Sequence, residues 1–521
     1  MNIIGFQSGH DVSYSVLNEG VPVICEEMER ITRKKMQRGD GLQFFFSRNS
    51  GEFLSDSSFS FGNLKGRRGR VFHDRTAERQ MNKVLSENGG KFYEFGHHLS
   101  HAANAFFTSD FEKALVVTMD AGGWEDDSMR ASFTVSQGIK NKIWRLETFS
   151  VKDLDLGGAW HKLTKEVFGL SVGYPKGDQA GTVMAMATMG SPKYMDMFPI
   201  TPERVEKLKA IASVSESDKF DVAASLQLWT EETFLNIAKQ YFPYHENVCL
   251  SGGVSLNCVM TGKIKNWFPN IKNIFCDPIP YDGGLSLGSA RYLWHDVLEN
   301  PRIYNSVKNS SPYLGKSYPE VSVISACRDS KIQYKYVTDD DVLKELDNQK
   351  IVAVFGGRSE IGRRALGNRS ILVDPRNSSM KQKINENVKH RQWFRPFAPS
   401  ILEERVKDWF EDEYLSPYMS FALKFKESVK DKVPAVVHYD GTGRLQTVNK
   451  SMNPWYYEFI SKWEKVSGVP ILLNTSFNDT EPIVETPEDA IHCFLNTKID
   501  YLYFFDYGIL VEKNNDYIDS V

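Results

Sequence analysis

Three histidines stand close together in "GHHLSHAANAFF", residues 96–107. If this segment is a helix, His97 and His101 lie one turn apart on the same face, because residues i and i+4 are neighbours there. Two imidazoles in that relation can bind one metal ion. His98 and His101, at i and i+3, form an alternative pair. All three side chains can also simply pack inside the protein, and the segment by itself leaves these options open.

Two aspartates offer further metal ligands, since Asp120 and Asp282 each follow an apolar, strand-like segment. Two histidines and two carboxylates form a mixed nitrogen and oxygen set, which suits Fe²⁺, Mn²⁺ or Zn²⁺ better than Ca²⁺. The small side chains of Ala102, Ala103 and Ala105 would let a ligand approach the histidine helix closely. The pattern therefore favours a metal site.

Glycine pairs follow two of the apolar segments. Gly122 and Gly123 lie in "TMDAGGW", and Gly252 and Gly253 lie in "LSGGVSLN". Backbone N–H groups at a corner between a strand and a helix can hold a phosphate. The two pairs predict a nucleotide site, although most glycine pairs are ordinary turns.

Seven arginines lie within the segment 357–399, whose glycines and short apolar pieces do not show the regular acid–base pairing of a charged helix face. Guanidinium groups bind phosphate or carboxylate groups through two parallel hydrogen bonds. We expect a pocket for a small anionic molecule, and a surface network of ion pairs is the alternative. The arginines are Arg358, Arg363, Arg364, Arg369, Arg376, Arg391 and Arg395.

The elements that must position these residues form an α/β pattern. Residues 2–6, 12–17 and 21–25 predict an antiparallel meander, and His10 lies at the mouth of its first hairpin. His10 could act as a general base, because its ordinary pKa is near neutrality, or it is simply a turn residue. Strands at 114–119, 247–250 and 274–276 continue into glycine turns, and ligands bind beyond the carboxyl ends of such strands.

Residues 299–335 are weakly periodic and rich in Asn, Ser and Pro, which predicts a connection, and a new pattern begins with a strand at 351–355. We expect two domains, 1–340 and 345–521, and no internal repeat stands out. The net charge of −4 excludes a strongly basic protein, although a local basic patch is allowed. The six scattered cysteines, the absence of a signal peptide and the absence of a long apolar segment predict a cytoplasmic protein without a membrane span.

The sequence resembles the O-carbamoyltransferases of antibiotic and nodulation-factor biosynthesis over nearly its whole length. The matching motifs, in order, are "GHDVS" (9–13), "HHLSHAANAFF" (97–107), "TMDAGGW" (118–124), "SGGVSLN" (251–257), "YDGGLSLGSA" (281–290), "GRSEIGRRALGNRSILVDPR" (357–376), "FRPFAPSIL" (394–402), "DGTGRLQTV" (440–448), "GVPILLNTSFN" (468–478) and "EPIVETPEDA" (481–490).

This resemblance implies an α/β protein with an actin-like first domain, similar to the enzyme that transfers threonylcarbamoyl to tRNA, and a YrdC-like second domain. It implies that carbamoyl phosphate and ATP, with Mg²⁺, form carbamoyl-adenylate at the second domain. A hydroxyl of an acceptor then takes the carbamoyl group at the first domain. Fe²⁺ is the metal that this likeness favours, with Mn²⁺ or Zn²⁺ as alternatives.

The resemblance also assigns residues. The metal ligands are His97, His101, Asp120 and Asp282, the base is His10, and the role of His98 stays open. The nucleotide contacts are Gly122, Gly123, Gly181, Gly252, Gly253 and Asn257. The carbamoyl phosphate contacts are Arg358, Arg364, Arg369, Arg395, Asn474 and Ser476.

The chain departs from the family pattern in three places. Gly356 replaces a usual Gln, Arg363 replaces a usual Pro, and "DQAGTVMAMATMG" (178–190) lacks a usual Glu and Lys near the nucleotide.

The acceptor and the oligomeric state stay open. A hydroxylated natural product or sugar is favoured as the acceptor. The basic segment "KGRRGR" (65–70) would suit a hydroxymethylated pyrimidine nucleotide or DNA instead. An actin-fold kinase or a nucleotide-binding module is the alternative class, and a homodimer is among the options for the oligomeric state.

Overall fold

A computed structural model describes residues 1–49, 51–64, 74–170, 179–304 and 307–513. The chain divides into two compact units, Met1–Ser311 and Pro312–Val521, which are described separately. No helix in these described ranges is both long and apolar enough to cross a membrane.

The strands of the described residues are numbered β1 to β19 in chain order. They are Asn2–Gln7, Ser13–Asn18, Val21–Glu27, Ser57–Phe61, Phe92–Glu94, Lys113–Trp124, Arg130–Ile139, Lys142–Ser150, Asn247–Ser251, Asn273–Cys276, Tyr334–Tyr336, Val352–Phe355, Arg369–Val373, Ala398–Leu402, Phe421–Lys424, Thr442–Val448, Ile471–Ser476, Tyr501–Phe504 and Ile509–Glu512.

The α-helices of the same residues are numbered α1 to α18. They are Met28–Thr32, Gly41–Arg48, Arg75–Asn88, His97–Thr108, Leu156–Lys162, Ala180–Ala187, Pro202–Ala212, Glu216–Ala238, Cys258–Gly262, Ile264–Trp267, Leu285–Tyr292, Val307–Ser310, Glu320–Asp329, Asp339–Asp347, Ser379–Asn387, Val406–Trp409, Pro454–Ser467 and Pro487–Leu495. Short 3₁₀ turns at Gly253–Leu256 and Asp282–Gly284 precede α9 and α11.

The first unit contains two five-stranded sheets that share one topology. Their strand orders are β3-β2-β1-β4-β5 and β10-β9-β6-β7-β8. In each sheet the first three strands in sequence pair antiparallel, and the remaining two run parallel to the first. The predicted meander and the mixed α/β class are confirmed. The sequence does not reveal this duplication.

Helix α4 carries the three histidines through the interior of the first unit. Ala102, Ala103 and Ala105 are fully buried in a core cluster with Phe106 and Phe107. The expectation that these alanines leave room for a ligand is therefore wrong. They let the helix pack closely against its neighbours.

The second unit is built on one nine-stranded mixed sheet of order β11-β19-β18-β12-β13-β17-β14-β16-β15. The predicted strand at 351–355 corresponds to β12. The predicted domain boundary near residue 340 differs from the observed division, because β11 pairs antiparallel with β19 at the edge of this sheet. The weak periodicity of residues 312–336 gave no sign of that distant pairing.

Candidate functional site

Two histidines and two aspartates from different parts of the first unit converge on one point. One potential ligand atom from each of His97, His101, Asp120 and Asp282 lies within 4.8 Å of all the others. The Oδ1 atom of Asp282 is 3.6 Å from Nε2 of both histidines. His101 Nε2 is also 3.7 Å from Asp120 Oδ2. The structure thus brings together all four residues that were expected to bind a metal.

Three elements position this cluster. His97 and His101 lie one turn apart at the start of α4, Asp120 lies within β6, and Asp282 begins the 3₁₀ turn before α11. The backbone N–H of Ala121 donates to Asp120 Oδ1 over 2.6 Å, and that of Gly253 donates to Asp120 Oδ2 over 2.5 Å. Asp120 is therefore held from two sides.

The Nε2 atoms of His97 and His101 are buried, and within the described residues neither has a hydrogen-bond partner. Each ring instead uses Nδ1, which lies 3.3 Å from Asn63 Oδ1 for His97 and 3.5 Å from Ser251 Oγ for His101. Metal-binding histidines typically use their second nitrogen in this way. Two unpartnered imidazole nitrogens facing two carboxylates fit a divalent transition metal ion.

The pKa values of Asp282, His101 and His97 depend on burial and on the charges of their neighbours in the cluster. Burial raises the pKa of Asp282, but the nearby His97, His10 and His101 outweigh it and hold that pKa below its usual range. Burial lowers the pKa of His101, yet Asp282 and Asp120 more than compensate and raise it. For His97, burial prevails and lowers the pKa. Buried imidazoles and carboxylates therefore stabilise one another's charged forms at Asp282 and His101.

His98 has a structural role. Its Nδ1 lies 2.7 Å from Thr118 Oγ1, and its Nε2 donates to the carbonyl oxygen of Ala131 over 3.0 Å. Both ring nitrogens point into the sheet, and burial lowers its pKa well below the usual value. The question left open by the sequence is answered: His98 packs and forms hydrogen bonds beside the cluster.

The first glycine pair is not at a corner between a strand and a helix, so that expectation is wrong. Gly122 and Gly123 lie inside β6, at a register shift opposite β7. A methyl group at position 123 would lie 2.0 Å from Cγ of His97. Gly123 therefore makes room for a histidine of the cluster.

The second glycine pair does lead from β9 into a 3₁₀ turn. Gly252 has a φ of 85°, and a methyl group there would lie 2.1 Å from the carbonyl oxygen of Met119. The N–H of Gly253 donates to Asp120 Oδ2. Asn257 caps α9 through Met260 N–H and pairs with the amide of Gln227.

Gly181 lies exposed on α6, and among the described residues nothing is within 4 Å of a methyl group placed there. The nucleotide roles of these glycines and of Asn257 stay predictions.

His10 lies at the edge of the metal cluster. Its Nε2 is 3.5 Å from Asp282 Oδ2, and its Nδ1 is 3.2 Å from Asp11 Oδ2. The carboxylate of Asp282, followed by that of Asp11, raises the pKa of His10 to about 9. With 48% of its side chain exposed, the ring can be reached from solvent.

In the second unit, three guanidinium groups lie close enough to oppose one another's charge. Burial and then Arg444 lower the pKa of Arg395 to about 10. Burial, Arg395 and Arg444 together lower the pKa of Arg391 well below its usual value. Arg444 Nε is buried and, among the described residues, has no hydrogen-bond partner. Such a group of cations suits an anionic ligand.

Several polar side chains share one face of the sheet beside this cluster. Ser400 pairs with Gln446, and Asn474 Nδ2 donates to Ser400 Oγ over 3.0 Å and to Gln446 Oε1 over 2.9 Å. Arg444 and Ser476 lie two residues from Gln446 and Asn474, so they point to the same face. The sheet therefore collects one cation and four polar groups from β14, β16 and β17.

Two of the four arginines predicted to bind carbamoyl phosphate donate to backbone carbonyl oxygens. Arg358 donates to the carbonyl oxygens of Leu314 and Gly315 over 2.7 and 2.8 Å. Arg369 is buried over the ring of Phe355 and donates to the carbonyl oxygen of Gly356 over 2.7 Å. Arg364 is half-buried. Their contacts with carbamoyl phosphate stay predictions.

Sequence reasoning missed four residues of these two sites. Lys389 is buried, and its Nζ donates to Asn478 Oδ1 over 2.7 Å and to Ser476 Oγ over 3.3 Å. Arg444 lies in a motif that was noticed without being assigned. Ser251 and Asp277 lie behind His101. Strand pairing brings Arg444, Ser251 and Asp277 to the sites, and Lys389 reaches its site from the segment that follows α15. Neither kind of placement can be inferred from a short stretch of sequence.

Comparison with known proteins identifies the family of the chain. Residues 69–201 and 203–291 match the family model of the carbamoyltransferase N-terminus, and residues 343–512 match that of the carbamoyltransferase C-terminus. Nodulation protein NolO of Bradyrhizobium diazoefficiens is 33% identical over 78% of this chain and 77% of its own length.

Two further relatives have more distant sequences. Nodulation protein U of Sinorhizobium fredii is 28% identical over 92% of this chain and 94% of its own length. The 3'-hydroxymethylcephem-O-carbamoyltransferase of Amycolatopsis lactamdurans is 28% identical over 74% of both chains. The chain therefore belongs to the carbamoyltransferase family of enzymes.

Proposed function

We propose that the protein is an ATP-dependent O-carbamoyltransferase that works in two steps on two sites. Carbamoyl phosphate, water and ATP first give carbamoyl-adenylate, phosphate and pyrophosphate. The carbamoyl group of the adenylate then passes to a hydroxyl of an acceptor, and AMP leaves. The observation that carries this proposal is His10, which lies 3.5 Å from a carboxylate of a four-residue cluster with the geometry to hold a metal ion.

The first step is assigned to the second unit, for which we propose the YrdC-like fold that the resemblance implies. Arg391, Arg395 and Arg444 would hold the phosphate groups, because guanidinium groups bind phosphate through paired, charge-assisted hydrogen bonds. Ser476, beside Lys389, would bind the carbamoyl group. A mixed anhydride with AMP turns a poor electrophile into one with a good leaving group.

The transfer step is assigned to the first unit and to His10. Its Nδ1 donates to Asp11, so the neutral ring has its lone pair on Nε2. That atom would accept the proton of the acceptor hydroxyl as its oxygen attacks the carbonyl carbon.

The metal site belongs to the same step. The unpartnered Nε2 atoms and the two carboxylates fit an Fe²⁺ ion, and Mn²⁺ or Zn²⁺ would fit as well. A bound ion would offset charge on the adenylate and, by neutralising Asp120 and Asp282, bring the pKa of His10 back towards its ordinary value. Mg²⁺ would accompany ATP at the other site.

We propose two alternative classes of acceptor. A hydroxylated natural product or sugar suits the family. A hydroxymethylated pyrimidine nucleotide or DNA is favoured by one observation: Gly9 and Gly39 form an isolated antiparallel bridge, and each of the two bridged residues is next to one of the cationic residues His10 and Arg38. Arg38 is exposed and could bind a phosphate near the reacting hydroxyl. The basic segment 65–70 lies outside the described residues.

A matched pair of acceptors tests this point. If Arg38 binds a phosphate, 5-hydroxymethyldeoxycytidine 5′-monophosphate should be carbamoylated faster than the nucleoside, and Arg38→Gln should remove the difference. Equal rates in the wild type would leave the uncharged acceptors as the better proposal.

The two-site division is tested by separating the half-reactions. Asp120→Ala and His101→Ala should abolish transfer to a hydroxylated acceptor while AMP-forming turnover with carbamoyl phosphate, measured as pyrophosphate release, survives. Loss of both activities would contradict the division. Release of ADP without carbamoyl phosphate would instead indicate a kinase.

A further inference from the structure

A chain of hydrogen bonds leads away from His101 into the second sheet of the first unit. Ser251 is the last residue of β9, and Asp277 directly follows β10, its parallel neighbour. Ser251 Oγ is 2.8 Å from Asp277 Oδ2 and 3.5 Å from His101 Nδ1. All three side chains are buried, with exposures between 0% and 1%.

The Asp277 carboxylate, at the far end of this chain, sets the direction of the hydrogen bonds. An ionised carboxylate only accepts, so the Ser251 hydroxyl donates its single proton to Asp277. The other acceptor near that hydroxyl, the carbonyl oxygen of Pro280, is farther away at 3.5 Å. Asp277 is itself held in place, because its Oδ1 accepts from Asn104 Nδ2 and from the N–H of Ile279, each over 2.9 Å.

Because its proton is committed, Ser251 Oγ can only accept from His101. Nδ1 of His101 must then carry hydrogen, and the lone pair of the neutral ring lies on Nε2. That atom faces Asp120 and Asp282 at 3.7 and 3.6 Å. The tautomer that can bind a metal is therefore selected from behind the ring.

We propose that Asp277 is a positioning residue, which acts through the Ser251 hydroxyl to hold His101 in its metal-binding tautomer. The proposal rests on the proposed metal role of the cluster. It involves no direct contact of Asp277 with metal or substrate. It also accounts for both oxygens of the buried Asp277 carboxylate. Asn104 and the N–H of Ile279 donate to Oδ1, and the Ser251 hydroxyl donates to Oδ2.

Mn²⁺ binding to the whole protein, followed through the electron paramagnetic resonance of the free ion, tests the proposal. Asp277→Asn keeps the shape of the side chain, and Ser251→Ala removes the hydroxyl. Each should weaken Mn²⁺ binding about 10- to 100-fold, the range typical of groups that orient a metal ligand. Ser255→Ala is the matched control, because the Ser255 hydroxyl donates to the carbonyl oxygen of Ser251 and does not contact His101.

The double variant Ser251→Ala/Asp277→Asn distinguishes positioning from general support of the fold. If Asp277 acts through Ser251, the double variant should bind Mn²⁺ no more weakly than the weaker single variant. Additive losses, or single variants that bind like the wild type, would overturn the proposal. The unfolding temperature without metal identifies a variant that fails to fold, and the other single variant then carries the test.

The failure of the metal site itself would look different. If the wild type binds Mn²⁺ no better than a His97→Ala/His101→Ala variant, the proposed metal role is wrong and the positioning role falls with it.

Discussion

Gly123→Ala should remove one metal ligand without changing any charged or polar group. The added methyl group would lie 2.0 Å from Cγ of His97 and 2.4 Å from its Cβ and Nδ1, whereas ordinary contacts begin at 3.4 Å. The shortfall of about 1.4 Å cannot be relieved by a flexible chain end, because His97 is at the start of a buried helix. The ring must move by roughly this amount.

A displacement of this size is large for a metal ligand. Metal–nitrogen distances are about 2.0–2.1 Å and tolerate errors of about 0.2 Å. His97 would therefore leave the ligand set. We expect metal affinity to fall by on the order of 100-fold, or about 2.8 kcal/mol, and stability without metal to fall by about 1–3 kcal/mol because the site is overpacked.

The assay is Mn²⁺ titration together with urea unfolding of the metal-free protein. Gly181→Ala is the matched control: position 181 is open and exposed near the start of α6, so metal affinity should stay unchanged, and the free energy of unfolding should rise by about 0.4–1 kcal/mol. A Gly123→Ala variant with the metal affinity and stability of the wild type would refute the assignment of Gly123 to the metal site.

Three further variants separate stability from binding. His98→Ala should lower the free energy of unfolding in urea by about 1–3 kcal/mol, because Thr118 and the carbonyl of Ala131 each lose one hydrogen bond inside the core, and Mn²⁺ affinity should change less than threefold. Arg444→Ala should raise the KM for carbamoyl phosphate about 10- to 100-fold, since a charge-assisted contact contributes about 1.5–3 kcal/mol, while transfer from supplied carbamoyl-adenylate stays normal. Gly288→Ala should destabilise the first unit by about 1–3 kcal/mol in thermal unfolding, because its methyl group would lie 2.0 Å from the carbonyl oxygen of Ser100; an unchanged melting temperature would show that α4 and α11 can separate freely.

Local sequence was informative wherever a short segment decides its own conformation. The short strand-like runs at 2–6, 12–17 and 21–25, separated by turns, predicted three antiparallel strands, and the apolar runs before Asp120 and after Lys350 predicted β6 and β12. The i, i+4 spacing of His97 and His101 predicted that the two rings share a helix face. These patterns depend on the periods of strand and helix, which single segments contain.

Local sequence failed where distant pairing decides the outcome. Gly122 and Gly123 resemble a turn into a helix, but pairing with β7 keeps them in an extended strand. Residues 334–336 resemble a connection, but β19 supplies an edge for them to join. The alanines of α4 were expected to leave room for a ligand, but all three are buried in the hydrophobic core.

What the sequence by itself determined is the membership of the family, the candidate residues of the metal cluster and some of the strands and helices that carry them. Only the tertiary structure decided which groups meet. Strand pairing aligns Ser251 with Asp277 behind His101, and the sheet of the second unit gathers Arg444 with Asn474 and Ser476. The physical reason is that chemistry at a site depends on distances of a few ångströms between residues far apart in the chain, and only the paired sheets set those distances.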